Sequence, residues 1–397
     1  MHQNIQELYQ IAKKPIRKII GLMSGTSMDG LDIAFCEITG DGLTTKVQLL
    51  HFITVPYDQH MKEQILSVFS KENVSLQNLT LLNAWIATQH ANMVNASLKT
   101  WGVGAKEVDL IASHGQTIYH APKSLHPTDE FDNATLQIGD GDHIAVKTGI
   151  ITLSDFRQKH IAAGGEGAPL ALYGDYLLCG SETENRLLLN IGGISNFTYL
   201  PANAKLNEVC STDTGPGNTL IDAYMRKHYN KSFDKDAAIA KEGIVQEDLL
   251  NKLLEEHFFN LPIPKTIGPE LFNIAFVEKA IQALGHKQIS VPDIITTLTL
   301  FTATTIVDAI YKLIPRSESF TVYTSGGGMH NPMIMQYLKS LLPNIQIESS
   351  EKLGIQPDAK EAILFAVLAN EAVAGTPMMA GNNATKIPVS MGKISFP

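Results

Sequence analysis

The sequence predicts an α/β protein made of two similar domains. Its 397 residues exceed what one hydrophobic core usually organises, and at about 150 residues per domain they suggest roughly two or three domains. Two segments each contain an apolar strand, a glycine-containing turn and a second strand. Two later segments each contain a buried strand that ends in a polar turn, and helical stretches lie between these features. The same order of elements therefore occurs twice along the chain.

The two strand–turn–strand segments lie at 18–38 and 186–200. Their turns read GLMSGTSMDG and IGGISN, and partial alternation of apolar and polar residues follows each turn. Such a pattern is typical of a β-hairpin. Because these turns contain more glycine than strand reversal requires, we expect them to have a second role.

The later strands and the helices complete each half. Residues 108–112 form a short apolar run that ends in SHGQT, and residues 320–324 form another that ends in SGGG. Apolar periodicity predicts helices over 83–98 and 294–314. A polar stretch at 180–185 precedes the second hairpin, so we expect the domain boundary there. The predicted domains are 1–183, with the first hairpin, and 184–397, with the second.

Composition and charge exclude several classes of protein. Apolar residues make up 44% of the chain and charged residues 18%, which is typical of globular proteins. The net charge of −9 repels phosphate backbones, so we expect no nucleic-acid partner. Three cysteines far apart (Cys36, Cys179 and Cys210) do not form a disulfide framework. The polar first 18 residues and the absence of a long apolar run predict a cytoplasmic protein with no membrane partner.

The glycine turns are candidate phosphate sites. In the first turn, backbone N–H groups around Ser24 and Gly25 are free to converge on an anion, and hydroxyl groups lie beside them. The P-loop pattern is absent, since no lysine follows the glycines and a strand comes next. A phosphate site and a plain tight turn both remain open for this segment. For Gly326 to Gly328, close approach to a ligand explains three adjacent glycines better than packing does.

Asp213 in the segment STDTGPGN has two interpretations. A carboxylate on a short rigid turn before a helix is held in one place, as a general base must be. The same geometry would serve as a helix cap. In either case we expect the dipole of the following helix to favour the ionised carboxylate.

Arg157, His114 and Gln116 are candidate ligands for a polar substrate. Arg157 follows an apolar strand and offers a planar fork for a carboxylate or for sugar hydroxyl groups. His114 and Gln116 can both donate and accept hydrogen bonds. The alternatives are a surface ion pair for Arg157 and a strand-end histidine for His114. His114 and His120 do not have the spacing of zinc ligands, and no GxSxG nucleophile motif is present.

Taken together, these motifs resemble the anhydro-N-acetylmuramic acid kinase family. The segments GLMSGTSMDG, ASHGQTIYH, LQIGDGDHIA, SDFR with IAAGGEGAPL, LNIGGISNF, DTGPGN, SGGG and IQPDAKEAILFA occur in the order of that family, over residues 21–374. The resemblance implies two actin/hexokinase-like (ribonuclease H-like) domains with ATP in the cleft between them. It also implies that ATP, with Mg²⁺, and water convert 1,6-anhydro-N-acetylmuramic acid to N-acetylmuramic acid 6-phosphate during cell-wall recycling. The implied partner is this small sugar, and a homodimer is left open.

The resemblance also assigns roles to individual residues. It makes Asp213 the general base and leaves the metal ligands unassigned. The residues it places at ATP are Ser24, Gly25, Thr26, Ser27, Met28, Asp29, Gly30, Leu31, Gly192, Gly193, Gly215, Gly326, Gly327 and Gly328. The residues it places at the sugar are His114, Gln116, Asp155, Arg157, Gly164, Gly165 and Glu361.

The chain departs from the family in one stretch beside the sugar. His160 stands where the family usually has Asp, Glu166 stands where it has Gln, and Leu170-Ala171 replaces Val-Pro. A lactyl carboxylate near Glu166 is repelled unless Arg157 or another cation offsets the charge. Two alternatives therefore stay open, which are a kinase for a neutral 1,6-anhydrosugar such as 1,6-anhydroglucose and a non-catalytic nucleotide or sugar sensor of actin-like fold.

Overall fold

The computed structural model describes residues 2–25, 28–123, 126, 128–167, 170–267, 271–285, 288–354, 356–378 and 387–397. The helices are α1 (Gln3–Lys13), α2 (Gln59–Leu66), α3 (Leu76–Trp101), α4 (Gly141–Thr148), α5 (Phe156–Ala162), α6 (Ala171–Cys179), α7 (Thr219–Tyr229), α8 (Glu247–Leu254), α9 (His257–Asn260), α10 (Ile274–Ala283), α11 (Val291–Leu313), α12 (Pro332–Leu341) and α13 (Lys360–Ala374). The strands are β1 (Ile16–Ser24), β2 (Gly30–Thr39), β3 (Lys46–Pro56), β4 (Leu110–Ala121), β5 (Ala134–Ile138), β6 (Thr152–Ser154), β7 (Arg186–Ile191), β8 (Ile194–Leu200), β9 (Cys210–Pro216), β10 (Thr321–Ser325), β11 (Gln346–Ser349) and β12 (Lys393–Ser395).

The chain forms two units, each with its own sheet. Unit 1 comprises Met1–Gly180, Lys205–Glu208 and Ile355–Pro397, and unit 2 comprises Ser181–Ala204 and Val209–Gly354. The sheet of unit 1 has the order β12-β6-β4-β1-β2-β3, with β5 paired to β4. The sheet of unit 2 has the order β11-β10-β7-β8-β9.

The two sheets share one arrangement of strands. In unit 1, β1 pairs antiparallel with β2 and β2 with β3, whereas β1 pairs parallel with β4 and β4 with β6. In unit 2, β7, β8 and β9 repeat the antiparallel part, and β10 and β11 repeat the parallel part. This repetition confirms the prediction of two similar α/β units.

The sheet of unit 1 is covered on both faces. Neighbouring residues in a strand point to opposite faces, so Ile19 of β1 belongs to one buried apolar cluster and Ile20 to another. Leu110 and Ile111 of β4 divide in the same way. The first cluster contains residues of α6 and α13, and the second contains residues of α3 and α4. Fully buried strands of this kind are typical of the parallel part of an α/β sheet.

The structure assigns the end of the chain differently from the predicted domain of residues 184–397. Residues 355–397 belong to unit 1, because α13 packs on β1 and β12 pairs antiparallel with β6. Gly21 permits this packing, since a Cβ atom there would lie 1.8 Å from the carbonyl oxygen of Ala362. The predicted boundary is therefore corrected for this segment: the chain enters unit 2 after Gly180 and leaves it after Gly354, apart from residues 205–208.

Helix α11 is the central helix of unit 2. It begins after Ser290, whose side chain accepts a hydrogen bond from the Asp293 N–H, and it contains the predicted helical stretch up to Leu313. Among the described residues, α11 is the one helix that is both long enough and apolar enough to cross a membrane. Because 78% of its apolar window is buried inside the protein, the apolar character is explained by its place in the core.

Candidate active site

The turn between β1 and β2 contains the first group of predicted nucleotide-binding residues. Thr26 and Ser27 lie outside the described residues. Ser24 is buried at 1% exposure, Leu31 is a core side chain, and Met28 has a left-handed backbone with φ 56°. Among the side chains of this turn that the structure describes, Ser24 and Leu31 thus serve the protein interior rather than an exposed ligand surface.

A directional chain of buried hydrogen bonds holds this turn. Nε2 of His90 lies 2.7 Å from the hydroxyl oxygen of Tyr57, which donates to Oγ of Ser24 over 2.8 Å. Ser24 donates to Oε1 of Gln116, and Nε2 of Gln116 donates to the carbonyl oxygen of Gly25 over 3.2 Å. Burial lowers the pKa of His90 to about 4, so the ring is neutral near pH 7. The sequence analysis missed Tyr57 and His90, because neither lies in a glycine turn or at a strand end.

Arg157 is held by a second set of contacts that also reaches Ser24. Its Nε donates to Nε2 of His114 over 3.0 Å, and its Nη1 donates to the carbonyl oxygen of Gly167 over 2.7 Å. Nδ1 of His114 lies 3.2 Å from the carbonyl oxygen of Ser24. Burial and then the Arg157 charge lower the pKa of His114 to about 3. His114 is therefore neutral, with one ring nitrogen accepting from Arg157 and the other donating to Ser24.

The predicted sugar-side loop is shaped by His160. Its Nδ1 accepts a hydrogen bond from the Gly167 N–H over 2.7 Å. Gly164 has a positive φ of 96°, and a Cβ atom on Gly165 would lie 2.3 Å from the His160 ring. Gly164 is therefore required by its backbone conformation, and Gly165 by the close approach of the His160 ring. The loop thereby presents the Gly167 carbonyl to Arg157.

Asp155 and Arg157 face different surroundings, although the sequence analysis placed both at the sugar. The Asp155 carboxylate pairs with Lys393 of β12 and lines a cavity of 360 Å³ together with His114 and Asp140. Among the described residues, the lining of this cavity does not include Arg157.

Glu361 lies near Arg157, at the start of α13. Its side chain is exposed, yet partial desolvation and then the Asp32 carboxylate raise its pKa, while Arg157 acts in the opposite direction. Asp32 of β2 accepts a hydrogen bond from the Thr54 hydroxyl over 2.6 Å. The structure thus brings Arg157, Glu361 and Asp32 into one charged group, and Asp32 was missed because it reads as an ordinary polar residue within a strand.

Asp213 lies within β9, not on a turn before a helix. Helix α7 begins six residues later, with Asn218 at its N-cap position, so the interpretation of Asp213 as a cap is wrong. Asp213 also lies outside the first turn of α7, where the helix dipole acts, so the expected dipole effect does not govern its ionisation, and burial raises its pKa. One contact opposes this rise, because the Ile267 N–H donates to Oδ2 over 2.9 Å. The carboxylate is half-buried, fixed by a strand and supported by one backbone donor.

The glycine turns of unit 2 serve packing more than the sequence suggested. The carbonyl oxygens of Gly192 and Gly193 accept hydrogen bonds from N–H groups at the start of α7 over 2.8 to 3.2 Å. A Cβ atom on Gly326 would lie 2.5 Å from Oδ1 of Asn190, and one on Gly328 would lie 2.2 Å from Ile191. Gly215 has a φ of 143°. The sequence analysis explained Gly326 to Gly328 by close approach to a ligand. The structure corrects this explanation at Gly326 and Gly328, which are glycines because protein atoms lie close by, whereas Gly327 has open space beside it.

Gly327 lines a cavity of 490 Å³ in unit 2. Its volume lies within the range of small-molecule sites, about 300 to 1,000 Å³. The wall combines apolar Ile221 and Phe233 with the Asp222 carboxylate. Burial raises the pKa of Asp222 to about 6, and Arg226 acts in the opposite direction. Sequence analysis found only the glycine edge of this cavity, because its other residues come from the start of α7, from the segment that follows α7 and from residues 330–331.

Metal-ligating side chains do not converge in the part of the chain that the structure describes: no group of three or more His, Cys, Asp or Glu residues is arranged to hold an ion. Mg²⁺ in phosphoryl transfer is usually held by substrate phosphates, water and one or two carboxylates.

Comparison with known proteins gives one consistent result. A family model described as anhydro-N-acetylmuramic acid kinase matches residues 17–396. A protein of Pseudoalteromonas atlantica named anhydro-N-acetylmuramic acid kinase is 54% identical, with all of both chains covered. One of Caldanaerobacter subterraneus with the same name is 39% identical, over 99% of this chain and 100% of its own. Component A of (R)-2-hydroxyglutaryl-CoA dehydratase from Acidaminococcus fermentans covers 90% of this chain and 99% of its own, at 11% identity and a TM-score of 0.40, which is too low to carry weight.

Proposed function

The chain belongs to the anhydro-N-acetylmuramic acid kinase family, and we propose that it transfers the γ-phosphoryl group of ATP to 1,6-anhydro-N-acetylmuramic acid. In this reaction water attacks the anomeric carbon, the bond from that carbon to O6 breaks, and O6 forms a bond to phosphorus as ADP leaves. The product is N-acetylmuramic acid 6-phosphate. The observation that carries the proposal is the family match over residues 17–396. The comparisons favour neither the neutral-sugar kinase nor the non-catalytic sensor.

Asp213 is proposed as the base that takes the proton from the attacking water. The half-buried carboxylate supports this role. Because burial raises its pKa, the carboxylate binds a proton more strongly than an exposed aspartate does, although it remains a weaker base than hydroxide. Its position in a strand and its bond from the Ile267 N–H limit its orientation. The protein then contributes positioning and charge stabilisation, which phosphoryl transfer chiefly requires.

The nucleotide is proposed to bind in unit 2, with its nucleoside in the 490 Å³ cavity beside Gly327. Ile221 and Phe233 offer apolar surface for a base, and Asp222 offers an acceptor for ribose hydroxyl groups. Mg²⁺, carried on the phosphates, would neutralise charge that develops on the transferred group. In unit 1, the turn at Ser24 and Gly25 is proposed to contact phosphate through backbone N–H groups.

A test of the nucleoside site uses Asp222. We expect Asp222→Asn to raise the KM for ATP about tenfold, since a hydrogen bond to a charged acceptor contributes roughly 1.5 to 3 kcal/mol. The KM for the sugar should not change. In the wild-type enzyme, the KM for ATP should rise as the pH falls through about 6, because the carboxylate becomes protonated there, and this dependence should vanish in the variant. A KM for ATP that is equal in both proteins at pH 8 would place the nucleoside elsewhere.

The sugar is proposed to bind at the charged group of unit 1. Arg157 supports this proposal, because its bonds to His114 and Gly167 fix the guanidinium while leaving part of its donor fork for a ligand. A fixed cation of this kind suits the lactyl carboxylate of muramic acid and offsets a nearby Glu166. His114, Gln116 and the loop glycines then act as supports, and Glu361 is available for hydroxyl groups.

A reaction that consumes ATP also implies a cytoplasmic protein.

The reaction itself is tested by isotope labelling. The purified protein is incubated with 1,6-anhydro-N-acetylmuramic acid, ATP and ¹⁸O-labelled water, and the product is analysed by mass spectrometry. We expect one labelled oxygen, attached to the anomeric carbon, in a product that carries one phosphate on O6. An unlabelled sugar phosphate, or turnover of 1,6-anhydroglucose alone, would contradict the proposed function.

A further inference from the structure

A buried lysine lies behind Asp213 in unit 2, outside every motif that the sequence analysis singled out. Lys265 is only 8% exposed, and its Nζ donates to the carbonyl oxygen of Phe258 in α9 over 2.8 Å. The ammonium lies 4.2 Å from the centre of the Phe258 ring. Buried lysines are rare unless their charge is compensated. Here a backbone carbonyl and an aromatic face compensate it.

The backbone of Lys265 runs beside β9 at the position of Asp213. The Lys265 N–H donates to Oγ1 of Thr212 over 3.0 Å, and its carbonyl oxygen accepts from the Asp213 N–H over 2.9 Å. Two residues further on, the Ile267 N–H donates to Oδ2 of Asp213 over 2.9 Å. The segment 265–267 therefore contacts both the backbone N–H and the side-chain carboxylate of Asp213.

We propose that Lys265 is a positioning residue for Asp213: by tying the segment 265–267 to α9, its ammonium keeps the Ile267 N–H on the carboxylate. The proposal rests on the proposed function, in which Asp213 is the base. The Ile267 N–H stabilises the carboxylate form, because it donates to the charged state. Loss of this donor leaves burial unopposed and shifts ionisation of Asp213 to higher pH.

The charged neighbours of both groups allow the effect to be isolated. Within the described residues, burial and the Ile267 N–H are the influences that displace the pKa of Asp213. Lys265 faces Lys312 and Asp308 of α11 in a cavity of 130 Å³. Burial and then Lys312 lower the pKa of Lys265 to about 8, so its ammonium is present at neutral pH. Lys312 also donates to a carbonyl of α9, that of Phe259, which accepts a longer bond of 3.4 Å from Nζ of Lys265 as well. The structure records no hydrogen bond from Lys312 to the described residues 265–267.

The test compares Lys265→Met, Lys265→Arg and Lys312→Met. For Lys265→Met we expect the acid limb of the kcat profile to move to higher pH, so that kcat relative to the wild type falls more at low pH than at high pH. The KM values for ATP and sugar should stay near those of the wild type. Lys265→Arg keeps a cationic donor and should restore the wild-type profile, and Lys312→Met should retain it. A variant that merely loosens the fold would lower kcat at every pH without moving the limb.

A second readout does not depend on turnover. Infrared titration of the Asp213 carboxyl, isolated as a difference from the Asp213→Asn form of each protein, should give a higher pKa in Lys265→Met than in wild type. If Lys265→Met does not fold, Lys265→Gln serves instead, and the same direction is expected. Wild-type protein that fails to phosphorylate the sugar contradicts the proposed function, while the titration still decides the role of Lys265. An Asp213 that titrates identically with and without the lysine overturns the inference.

Discussion

Replacement of Asp213 by asparagine is expected to reduce kcat by about three orders of magnitude, within the range of general base catalysis. The amide retains an oxygen that accepts from the Ile267 N–H, so the strand and its neighbours should keep their positions. It cannot take a proton from water. ATP affinity, measured by calorimetry, should remain within about twofold of wild type, because the loss falls on the chemical step.

The pH dependence of the wild-type enzyme provides a second observation on Asp213. Since burial raises its pKa, protonation occurs at higher pH than for an exposed aspartate, and kcat should fall as the pH decreases through that value. Asp308→Asn in α11 is the matched control, because it makes the same chemical change in unit 2, and should retain wild-type turnover. Full activity of the Asp213→Asn protein, or equal losses in both variants, would remove Asp213 from the mechanism.

Local sequence patterns were sufficient for the repeated strands of this fold but not for the placement of the last segment. The hairpins at 18–38 and 186–200 follow from alternation and turn composition, which depend on neighbouring residues. The run at Ala362–Ala369 is buried on all sides, so its composition predicts burial without saying against which sheet. The approach of α13 to Gly21 is a contact between residues far apart in the chain. No local periodicity contains that information.

The candidate site shows the same division between chemistry and geometry. Arg157 and Glu361 were found from residue type and resemblance, and the structure brings them together. The residues that support these groups were not found from the sequence. Tyr57, His90 and Lys265 act through hydrogen bonds to residues far away in the chain, and the identity of a single tyrosine, histidine or lysine does not indicate such a bond. Gly326 illustrates the opposite error, because a glycine required by the nearby Asn190 side chain looks in the sequence like one reserved for a ligand.

Replacement of Arg157 should have the second largest effect. It should distinguish recognition of the lactyl group from recognition of the rest of the sugar. We expect Arg157→Met to lower kcat/KM for 1,6-anhydro-N-acetylmuramic acid about a hundredfold, since a charge-assisted pair contributes roughly 1.5 to 3 kcal/mol. Arg157→Lys should recover only part of this loss. A lysine supplies the charge, but it cannot reproduce the planar fork that bonds His114 and Gly167 together. The KM for ATP should be unchanged in both variants.

The comparison with a neutral anhydrosugar decides what Arg157 recognises. If the guanidinium pairs with the lactyl carboxylate, the wild-type enzyme should prefer the charged sugar, and Arg157→Met should abolish that preference by losing activity on the charged sugar alone. Lys159→Met removes an exposed cation from the same helix and should keep the preference, which controls for net charge. Equal losses on both sugars would contradict a lactyl contact. They would instead place Arg157 among the groups that hold the ring, where its bond to His114 links it to the turn at Ser24.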